Sequence, residues 1–299
     1  MLGHPSLSEY FSSIFPGKVQ KIAVNAGLSC PNRDGSKGCG GCIFCNNEAF
    51  NPRYSALSEA SVSEQLEEGI SFFSMKGKPF AYLAYFQSYS NTYGDTAHLI
   101  ELYEEALRYP GIEGLVIATR PDCLKEDLLD WFESRFGRKA PEGHPYLLVE
   151  IGIESTIDRT LELINRGHDY ACSAAAALAL SERGIDVGAH LILGLPGEGW
   201  DDFLTHADRL SELPLKTLKL HHLQVVRGTA LAQMYEQDPS SLHLFSPEEY
   251  ATVVKAFLER LRPDIAIDRL VSEMPREFVI APAWGLKPSE FQRYLRYSR

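Results

Sequence analysis

The 299-residue sequence lacks any long apolar run, and this absence limits where the protein can act. No apolar segment approaches the roughly 20 residues that a helix needs to cross a bilayer. The N-terminal segment MLGHPSLSEYF also lacks the basic start and apolar core of a secretory signal peptide. We therefore expect a cytoplasmic protein with no membrane partner, whose cysteines stay reduced.

Positive charge is also scarce. The chain has 29 Lys and Arg residues against 40 Asp and Glu residues, which gives a formal net charge of −11. This balance disfavours non-specific, charge-driven binding to nucleic acid. The sequence has no internal repeat of fixed period and no low-complexity segment, so its length predicts one large domain with an appendage.

Cysteine is concentrated in one stretch. Four of the six cysteines lie in residues 29–46, SCPNRDGSKGCGGCIFCN, among Gly, Asn, Asp and Pro residues that favour tight turns. Clustered thiolates are soft ligands that select zinc, copper(I) or an iron–sulfur cluster. A closed zinc site usually pairs two Cys-x2-Cys hairpins a dozen or more residues apart, whereas Cys39, Cys42 and Cys45 are crowded together here. The spacing favours an iron–sulfur cluster and leaves zinc as the alternative.

Apolar, β-branched runs alternate with helical patterns along most of the chain. The sequence predicts strands at 21–27, 80–87, 115–118, 146–153, 186–193 and 218–226, and helices at 61–74, 97–109, 125–136, 157–165, 171–183 and 200–212. Nearly all-apolar strands in this order predict an α/β protein with a parallel sheet, curled into a partial (β/α)6 TIM-like barrel. The cysteines and the segments SYSNT, TRPD and GLPGE each follow a predicted strand, at the edge where such sheets build their sites.

The chain divides into three predicted parts. Residues 1–17 form an N-terminal lead, residues 18–233 the core barrel, and residues 234–299 a small α/β C-terminal extension. The extension begins a helix at the capping box of Ser246 and Glu249 and continues with a short strand at 265–270 and a helix at 289–297. We expect this extension to pack on the barrel.

The segment GCIFC, with Phe44 before its last cysteine, resembles the end of the cluster motif of radical S-adenosylmethionine (SAM) enzymes. The common motif is Cys-x3-Cys-x2-Cys, and this chain departs from it as Cys-x11-Cys-x2-Cys. The longer first gap, which opens with CPNRDG, resembles the YhcC-like radical SAM proteins, which are related to the Elongator catalytic subunit and to oxygen-independent coproporphyrinogen III oxidase. The resemblance implies that Cys30, Cys42 and Cys45 hold a 4Fe–4S cluster, with Cys39 outside the triad.

A second segment, EIGIESTIDRTLELINRGHD, resembles the GxQS…RGH segment of the same relatives. The resemblance implies that Glu154 binds the ribose of SAM and that Arg166 reaches its carboxylate. A carboxylate can accept hydrogen bonds from both ribose hydroxyls, and a guanidinium pairs bidentately with a carboxylate. Capping of the following helix is the alternative role for Glu154.

Weaker segments complete the predicted site. Further cofactor-binding residues implied by the resemblance are Phe44, Ser88, Ser90, Gly194, Val225 and Thr229. An ordinary polar turn is the alternative for Ser88 and Ser90, a plain turn for Gly194, and core packing for Val225. Arg120 and Asp122, from the TRPD segment, are expected to face the substrate or else to form a solvated ion pair or turn.

The family resemblance implies an enzyme that takes an electron from a donor such as flavodoxin or ferredoxin and cleaves SAM to a 5′-deoxyadenosyl radical. That radical abstracts a hydrogen atom from a substrate, either a small metabolite or an RNA nucleotide. The net charge and the lack of a recognisable RNA-binding or acetyltransferase module favour the metabolite. A non-catalytic zinc or iron–sulfur binding protein is the alternative, in which Glu154 and Arg166 would have no purpose.

Overall fold

A computed structural model describes residues 3–46, 60–74 and 81–297 of the chain. Its longer strands are β1 (Val19–Val24), β2 (Ala81–Phe86), β3 (Ile112–Thr119), β4 (Tyr146–Glu154), β5 (Asp186–Leu193), β6 (Leu215–His222) and β8 (Ala266–Arg269). They form one parallel sheet in the order β1-β2-β3-β4-β5-β6-β8, the curled sheet of a partial TIM barrel. Two short strands, β7 (Val225–Val226) and β9 (Val279–Ala281), pair antiparallel beside it.

Helices connect and cover these strands. They are α1 (Leu7–Ser12), α2 (Val62–Ser74), α3 (Thr96–Arg108), α4 (Glu126–Phe136), α5 (Asp158–Leu163), α6 (Tyr170–Glu182), α7 (Trp200–Glu212), α8 (Ala230–Gln237), α9 (Pro247–Arg260) and α10 (Pro288–Tyr297). Capping boxes predicted at Ser61 with Glu64 and at Ser246 with Glu249 both form. Across the described ranges, no helix is long and apolar enough to cross a membrane.

Most predicted elements form within a few residues of their predicted ends. The strand predicted at 80–87 begins at Ala81 within the described residues, since Phe80 lies outside them. The sixth predicted strand, at 218–226, is two separate strands: β6 ends at His222, and Val225 and Val226 pair with β9 instead. The short helices α1 and α8 have no counterpart among the predicted elements.

The strand predicted within the C-terminal extension belongs to the main sheet. Strand β8 pairs in parallel with β6, with Thr217 opposite Ala266, and so adds a seventh strand to the six predicted for the barrel. Helix α9 packs against α7, and α10 packs against α9. The extension therefore continues the barrel wall as well as packing on its outside.

The two faces of the sheet bury different side chains. Along β4, Leu147, Val149, Ile151 and Ile153 belong to the large apolar core beneath the helices. Side chains alternate across a strand, so Leu148, Glu150 and Gly152 point into the barrel. The same alternation in the neighbouring strands gives the barrel an interior of its own.

An apolar floor closes the lower end of that interior. Phe11 of α1 packs with Leu83, Val116 and Leu148 in a buried cluster at the N-terminal ends of the strands. The chain leading into α1 is fixed to the same end, because the backbone N–H of Ile267 donates to the carbonyl of Pro5 at 2.8 Å. The N-terminal lead therefore seals the barrel from below.

Candidate active site

One cavity of about 730 Å³ occupies the barrel above this floor. Its wall includes the side chains that follow several different strands, as expected for the carboxyl edge of a parallel sheet. The predicted site residues that line it are Cys30, Cys42, Phe44, Cys45, Ser90, Arg120, Glu154 and Arg166. The fold thus brings together residues from four separate segments of the sequence.

The cysteine loop is held by backbone hydrogen bonds. The N–H of Ile43 donates to the carbonyl of Ile164 at 3.1 Å, and the N–H of Leu231 donates to the carbonyl of Ile43 at 2.9 Å. Gly40 and Gly41 have φ values of 82° and 79°, which L-residues with side chains rarely adopt. The loop needs these glycines in order to turn back between Cys39 and Cys42.

Three of the four loop cysteines line the cavity. Cys42 is buried, Cys30 and Cys45 are half-buried, and all three lie on the cavity wall. Cys39 is exposed and is not part of the wall. This arrangement separates Cys39 from the other three, and the ligand triad itself stays a prediction.

Hydrogen-bond donors surround the buried thiols. Nδ2 of Asn32 and Nη1 of Arg166 each lie 3.6 Å from Sγ of Cys42, and Nη2 of Arg33 donates to the carbonyl of Cys45 at 2.7 Å. Burial and the nearby Cys42 raise the pKa of the Cys45 thiol to about 11, although the Arg33 guanidinium acts to lower it. Metal binding displaces such a proton, because the thiolate is the ligand.

The donor set fits an iron–sulfur cluster. Such clusters are held by thiolates, and N–H donors near the sulfur atoms tune them. Asn32 and Arg166 supply donors of this kind to Cys42. Within the described parts of the chain, no three His, Cys, Asp or Glu side chains are grouped so as to hold a single metal ion.

Glu154 and Arg166 meet at the end of β4. Oε1 of Glu154 lies 3.7 Å from Nη2 of Arg166, which also donates to the carbonyl of Gly152. A Cβ atom on Gly152 would lie 2.6 Å from Oε1 of Glu154 and 2.7 Å from Nη2 of Arg166. Only glycine therefore leaves room for this pair.

Two features of Glu154 bear on its role. Its φ of 65° is unusual for a residue with a side chain, and such strained conformations cluster at functional sites. Helix α5 starts at Asp158 with Ile157 as its N-cap, so Glu154 does not cap it. Its carboxylate is instead directed at the cavity and Arg166.

Arg166 is buried and charged. Burial alone would lower the pKa of its guanidinium, but the adjacent Cys42 thiol and Glu154 carboxylate hold that pKa above its usual value. Among the described residues, its Nε has no hydrogen-bond partner. A buried donor without a partner is rare, and this one lies in a residue of the cavity wall.

Arg120 and Asp122 form an ion pair that is buried, not solvated. Nε and Nη2 of Arg120 lie 2.9 Å from the two carboxylate oxygens of Asp122, and Lys37 contacts the same carboxylate at 2.7 Å. Burial acts to raise the pKa of Asp122, yet Arg120 and Lys37 hold it well below its usual range. Nη1 of Arg120, in the cavity wall, has no partner among the described residues.

The remaining predicted residues differ in position. Ser90 lines the cavity, whereas Ser88 is buried outside its wall. Gly194 has a φ of 91°, and a Cβ there would lie 2.7 Å from the Phe245 ring. These positions leave the predicted roles of Ser88 and Gly194 as predictions.

The segment that carries Val225 and Thr229 is displaced by one residue from the cavity. Val225 packs in an apolar cluster with Leu161 and Leu231, and its neighbour Val226 lines the cavity. Thr229 caps α8, accepting from the N–H of Ala232 at 3.1 Å. In this structure both predicted residues therefore also have packing or capping roles.

A polar layer that the sequence analysis missed crosses the barrel interior between the floor and the cysteines. This interior ionic layer takes one side chain from each of six strands: Lys21, Tyr85, Glu150, His190, Lys219 and Asp268. In sequence Glu150, His190 and Lys219 each stand between two apolar neighbours, and that isolation is the signal that could have identified these three.

Glu150 is at the centre of the interior ionic layer. Its Oε2 accepts from the Tyr85 hydroxyl at 2.7 Å and lies 2.8 Å from both Nε2 of His190 and Nζ of Lys219. Its Oε1 lies 3.2 Å from Nζ of Lys21. Burial acts to raise the pKa of Glu150, but the two ammonium groups hold it well below the usual value.

Asp268 closes the layer on its other side. Its Oδ2 lies 2.8 Å from Nζ of Lys21 and 3.3 Å from Nζ of Lys219. Every ion in the layer therefore has an oppositely charged neighbour. Nearby, His221 and His222 also line the cavity, and burial lowers the pKa of both imidazoles, that of His222 to about 3.

Comparison with known proteins assigns this arrangement to a class. Residues 30–210 match the model of the radical SAM superfamily, and residues 215–297 match that of the radical SAM C-terminal domain. The chain belongs to the radical SAM superfamily and is an enzyme of that class. It is 34% identical to the protein YhcC of Escherichia coli K12, over 89% of this chain and 82% of that protein.

Two more distant similarities were found, and one of these proteins is named for its activity. The tRNA uridine(34) acetyltransferase of Dehalococcoides mccartyi is 31% identical over 59% of this chain and 36% of its own length. The solved structure of Elp3 from the archaeon Methanocaldococcus infernus superposes with a TM-score of 0.66 at 16% identity, over 93% of this chain and 62% of that one. This last likeness shows a shared fold.

Proposed function

We propose that this protein binds a 4Fe–4S cluster through Cys30, Cys42 and Cys45 and binds SAM above it in the barrel cavity. The observation that carries the proposal is the convergence of these three thiols with Glu154 and Arg166 on one cavity. When both groups are bound and the cluster is reduced, they supply a 5′-deoxyadenosyl radical that removes a hydrogen atom from the substrate.

The chain's own residues have distinct roles in this proposal. Arg166 and Arg120 each offer a buried guanidinium N–H without a partner among the described residues, which suits a ligand carboxylate. Glu154 accepts from the ribose hydroxyls, and Ser90 and Phe44, which line the same cavity, contact the cofactor. The apolar floor blocks bulk water from entering the cavity through the lower end of the barrel.

Anaerobic reconstitution tests the proposal. The purified chain is loaded with iron and sulfide, reduced with dithionite and incubated with SAM, and 5′-deoxyadenosine and methionine are measured by mass spectrometry. We expect a brown protein with about four iron atoms per chain, as one cube requires, that releases 5′-deoxyadenosine. A colourless protein with stoichiometric zinc, or a brown one without 5′-deoxyadenosine, would contradict the proposal.

Two substrate classes are consistent with this site. The net charge of −11 favours a small metabolite, because the chain as a whole repels polyanions. The name of the tRNA uridine(34) acetyltransferase relative favours an RNA nucleotide. Paired metabolite and tRNA-nucleoside profiling of a deletion strain separates them, since only one pool should accumulate an unmodified precursor.

The electron donor is proposed by class alone. A one-electron carrier such as flavodoxin or ferredoxin would reduce the cluster in the cell. Replacing dithionite by reduced flavodoxin or reduced ferredoxin in the same assay tests this directly. Release of 5′-deoxyadenosine with either carrier supports the assignment.

A further inference from the structure

The interior ionic layer is not used by the proposed cluster and SAM sites. Its six side chains lie below the cysteines, and within the described ranges none of their hydrogen bonds or ion pairs involves a cysteine. Removing two ammonium groups and two carboxylates from water costs several kcal/mol for each ion, and the interior of most barrels is filled by apolar side chains instead. The layer therefore calls for a functional explanation.

All six side chains of the layer line the cavity, but they differ in exposure. The side chains of Lys21, His190 and Asp268 are 18%, 19% and 13% exposed, whereas those of Glu150 and Lys219 are 2% and 7% exposed. Glu150 and Lys219 are thus the less accessible members, and their ion pairs hold the others in place. The more exposed groups that a molecule in the cavity meets are one ammonium, one imidazole and one carboxylate, and the ammonium and carboxylate lie only 2.8 Å apart.

The charge balance of the layer restricts what can bind there. Lys21 and Lys219 balance Glu150 and Asp268, so a ligand with charge of one sign would leave that charge uncompensated at a site of low dielectric. An apolar ligand would strip water from Lys21 and Asp268 without replacing its hydrogen bonds. A ligand with both charges satisfies both residues at once.

A second pair of opposite charges lies in the cavity wall near the layer. Nη2 of Arg269, the residue after Asp268, lies 3.6 Å from Oε2 of Glu273, and both residues line the cavity. The closed apolar floor leaves entry only from above. When one group of a ligand binds at the layer, the rest of that ligand therefore extends up the cavity towards the cysteines.

We propose that the interior ionic layer binds the substrate through a zwitterionic group, with a carboxylate on Lys21 and an ammonium on Asp268, as an amino acid would present them. The inference rests on the proposed function only in that it places this substrate in the same cavity as SAM. Glu150 and Glu154 are four residues apart on β4, which spans at most about 13 Å because the strand is irregular between Gly152 and Glu154. That spacing separates the zwitterion from the SAM site and leaves room for the atom that loses its hydrogen.

Three small probes test the proposal on the reconstituted enzyme with SAM: glycine, which carries both charges, acetate and methylammonium. Binding is measured as a concentration-dependent rise in Tm and by saturation-transfer NMR. We expect glycine to bind and the two singly charged probes to bind at least about tenfold more weakly, since each loses one charge-assisted hydrogen bond.

A charge-balanced double variant tests the site with less risk that the substitution itself prevents folding. Lys21→Met alone leaves an excess of buried negative charge, whereas Lys21→Met with Asp268→Asn keeps the layer neutral. We expect the double variant to lose at least about tenfold in glycine affinity while retaining its affinity for SAM. Asp208→Asn, which breaks an exposed pair with Arg260 outside the cavity, is the matched control and should bind glycine like the wild type.

Three results would overturn the proposal: no glycine binding, acetate binding as tightly as glycine, or an unchanged double variant. Glycine binding is also measured without SAM. Failure of SAM to bind would then count against the proposed function, whereas failure of glycine to bind counts against the zwitterion site alone.

Discussion

The two ends of the cavity are built in opposite ways. At the upper end, the cysteines, Arg120 and Arg166 sit on loops that follow strands, and buried donors on both arginines have no partner among the described residues. At the lower end, the interior ionic layer sits within the strands themselves, and each ion has an oppositely charged neighbour.

This difference separates a region prepared for ligands from one that is stable without them. The upper end has thiols and unpaired donors that gain partners only when something binds. The lower end already satisfies its own charges, so its members stabilise the fold as well as facing the substrate. Substitutions at the upper end should therefore reduce binding, whereas substitutions at the lower end should first reduce stability.

The largest expected effect is at the upper end. Replacing Cys30, Cys42 or Cys45 by Ala should each abolish 5′-deoxyadenosine release and sharply lower the iron bound per chain, because each substitution removes one thiolate ligand. Cys39→Ala is the matched control from the same loop and should retain both. Full iron content in Cys42→Ala, or loss of iron in Cys39→Ala, would show that the triad is assigned wrongly.

At the lower end, Lys219→Met should destabilise the chain by about 3–5 kcal/mol, because it leaves Glu150 and Asp268 with a single ammonium partner. Urea unfolding followed by circular dichroism measures the loss. Arg260→Met removes a cation from an exposed pair and should cost less than about 1 kcal/mol. Similar losses in the two variants would mean that the interior ionic layer contributes no more than a surface pair.

The layer also predicts a loss of stability in acid. Burial acts to raise the pKa of Asp268, but Lys21 and Lys219 bring it to about 2, below the 3.8 of an unperturbed Asp. A depressed folded-state pKa gives stability that is present above the unfolded value and lost as the pH falls through the folded one. Between about pH 4 and pH 2 the wild type should therefore lose about 2 kcal/mol more than Asp268→Asn.

This comparison needs unfolding curves of the two proteins, prepared identically, at several acidic pH values. Carboxylates outside the layer cancel in the difference between them. Glu150 is present in both proteins, and because Glu150 and Asp268 repel each other, removing the Asp268 charge acts only to lower the already depressed pKa of Glu150 further. Parallel loss of stability by the two proteins over this window would refute the assignment of Asp268 as an ionised partner of Lys21 and Lys219.

The contrast between the two ends also explains what the sequence could and could not predict. Residues at the upper end follow strands and form spaced motifs, so Cys30, Cys42, Cys45 and the pair Glu154 with Arg166 could be identified before the fold was known. The cavity brings all five together. Their ligands stay predictions until binding is measured.

The lower end depends on pairing between distant strands. A single Lys, Glu or His within an apolar run does not reveal which residues of other strands share its level in the barrel. For the same reason β8 was assigned to the extension, although it pairs with β6. Helix α1 was missed for a different reason: its capping box of Ser6 and Glu9 is present, but its six residues are too short for periodicity to identify.

The smallest of these effects tests the strained residue at the upper end. Glu154→Ala should weaken SAM binding by about tenfold, the loss expected for one hydrogen bond to a charged acceptor, and should leave the iron content unchanged. Equilibrium dialysis with labelled SAM measures the affinity. The backbone strain at φ 65° is kept in the variant, so the comparison isolates the carboxylate.

Glu162→Ala, an exposed acidic residue on the neighbouring helix α5, is the matched control and should bind SAM like the wild type. If Glu154→Ala also keeps wild-type affinity, the carboxylate serves only its contact with Arg166 at 3.7 Å. If it loses iron, Glu154 supports the cysteine loop through Arg166, whose Nη1 lies 3.6 Å from the Cys42 sulfur. Only weaker SAM binding at full iron content assigns Glu154 to the cofactor, because neither structural role changes that affinity alone.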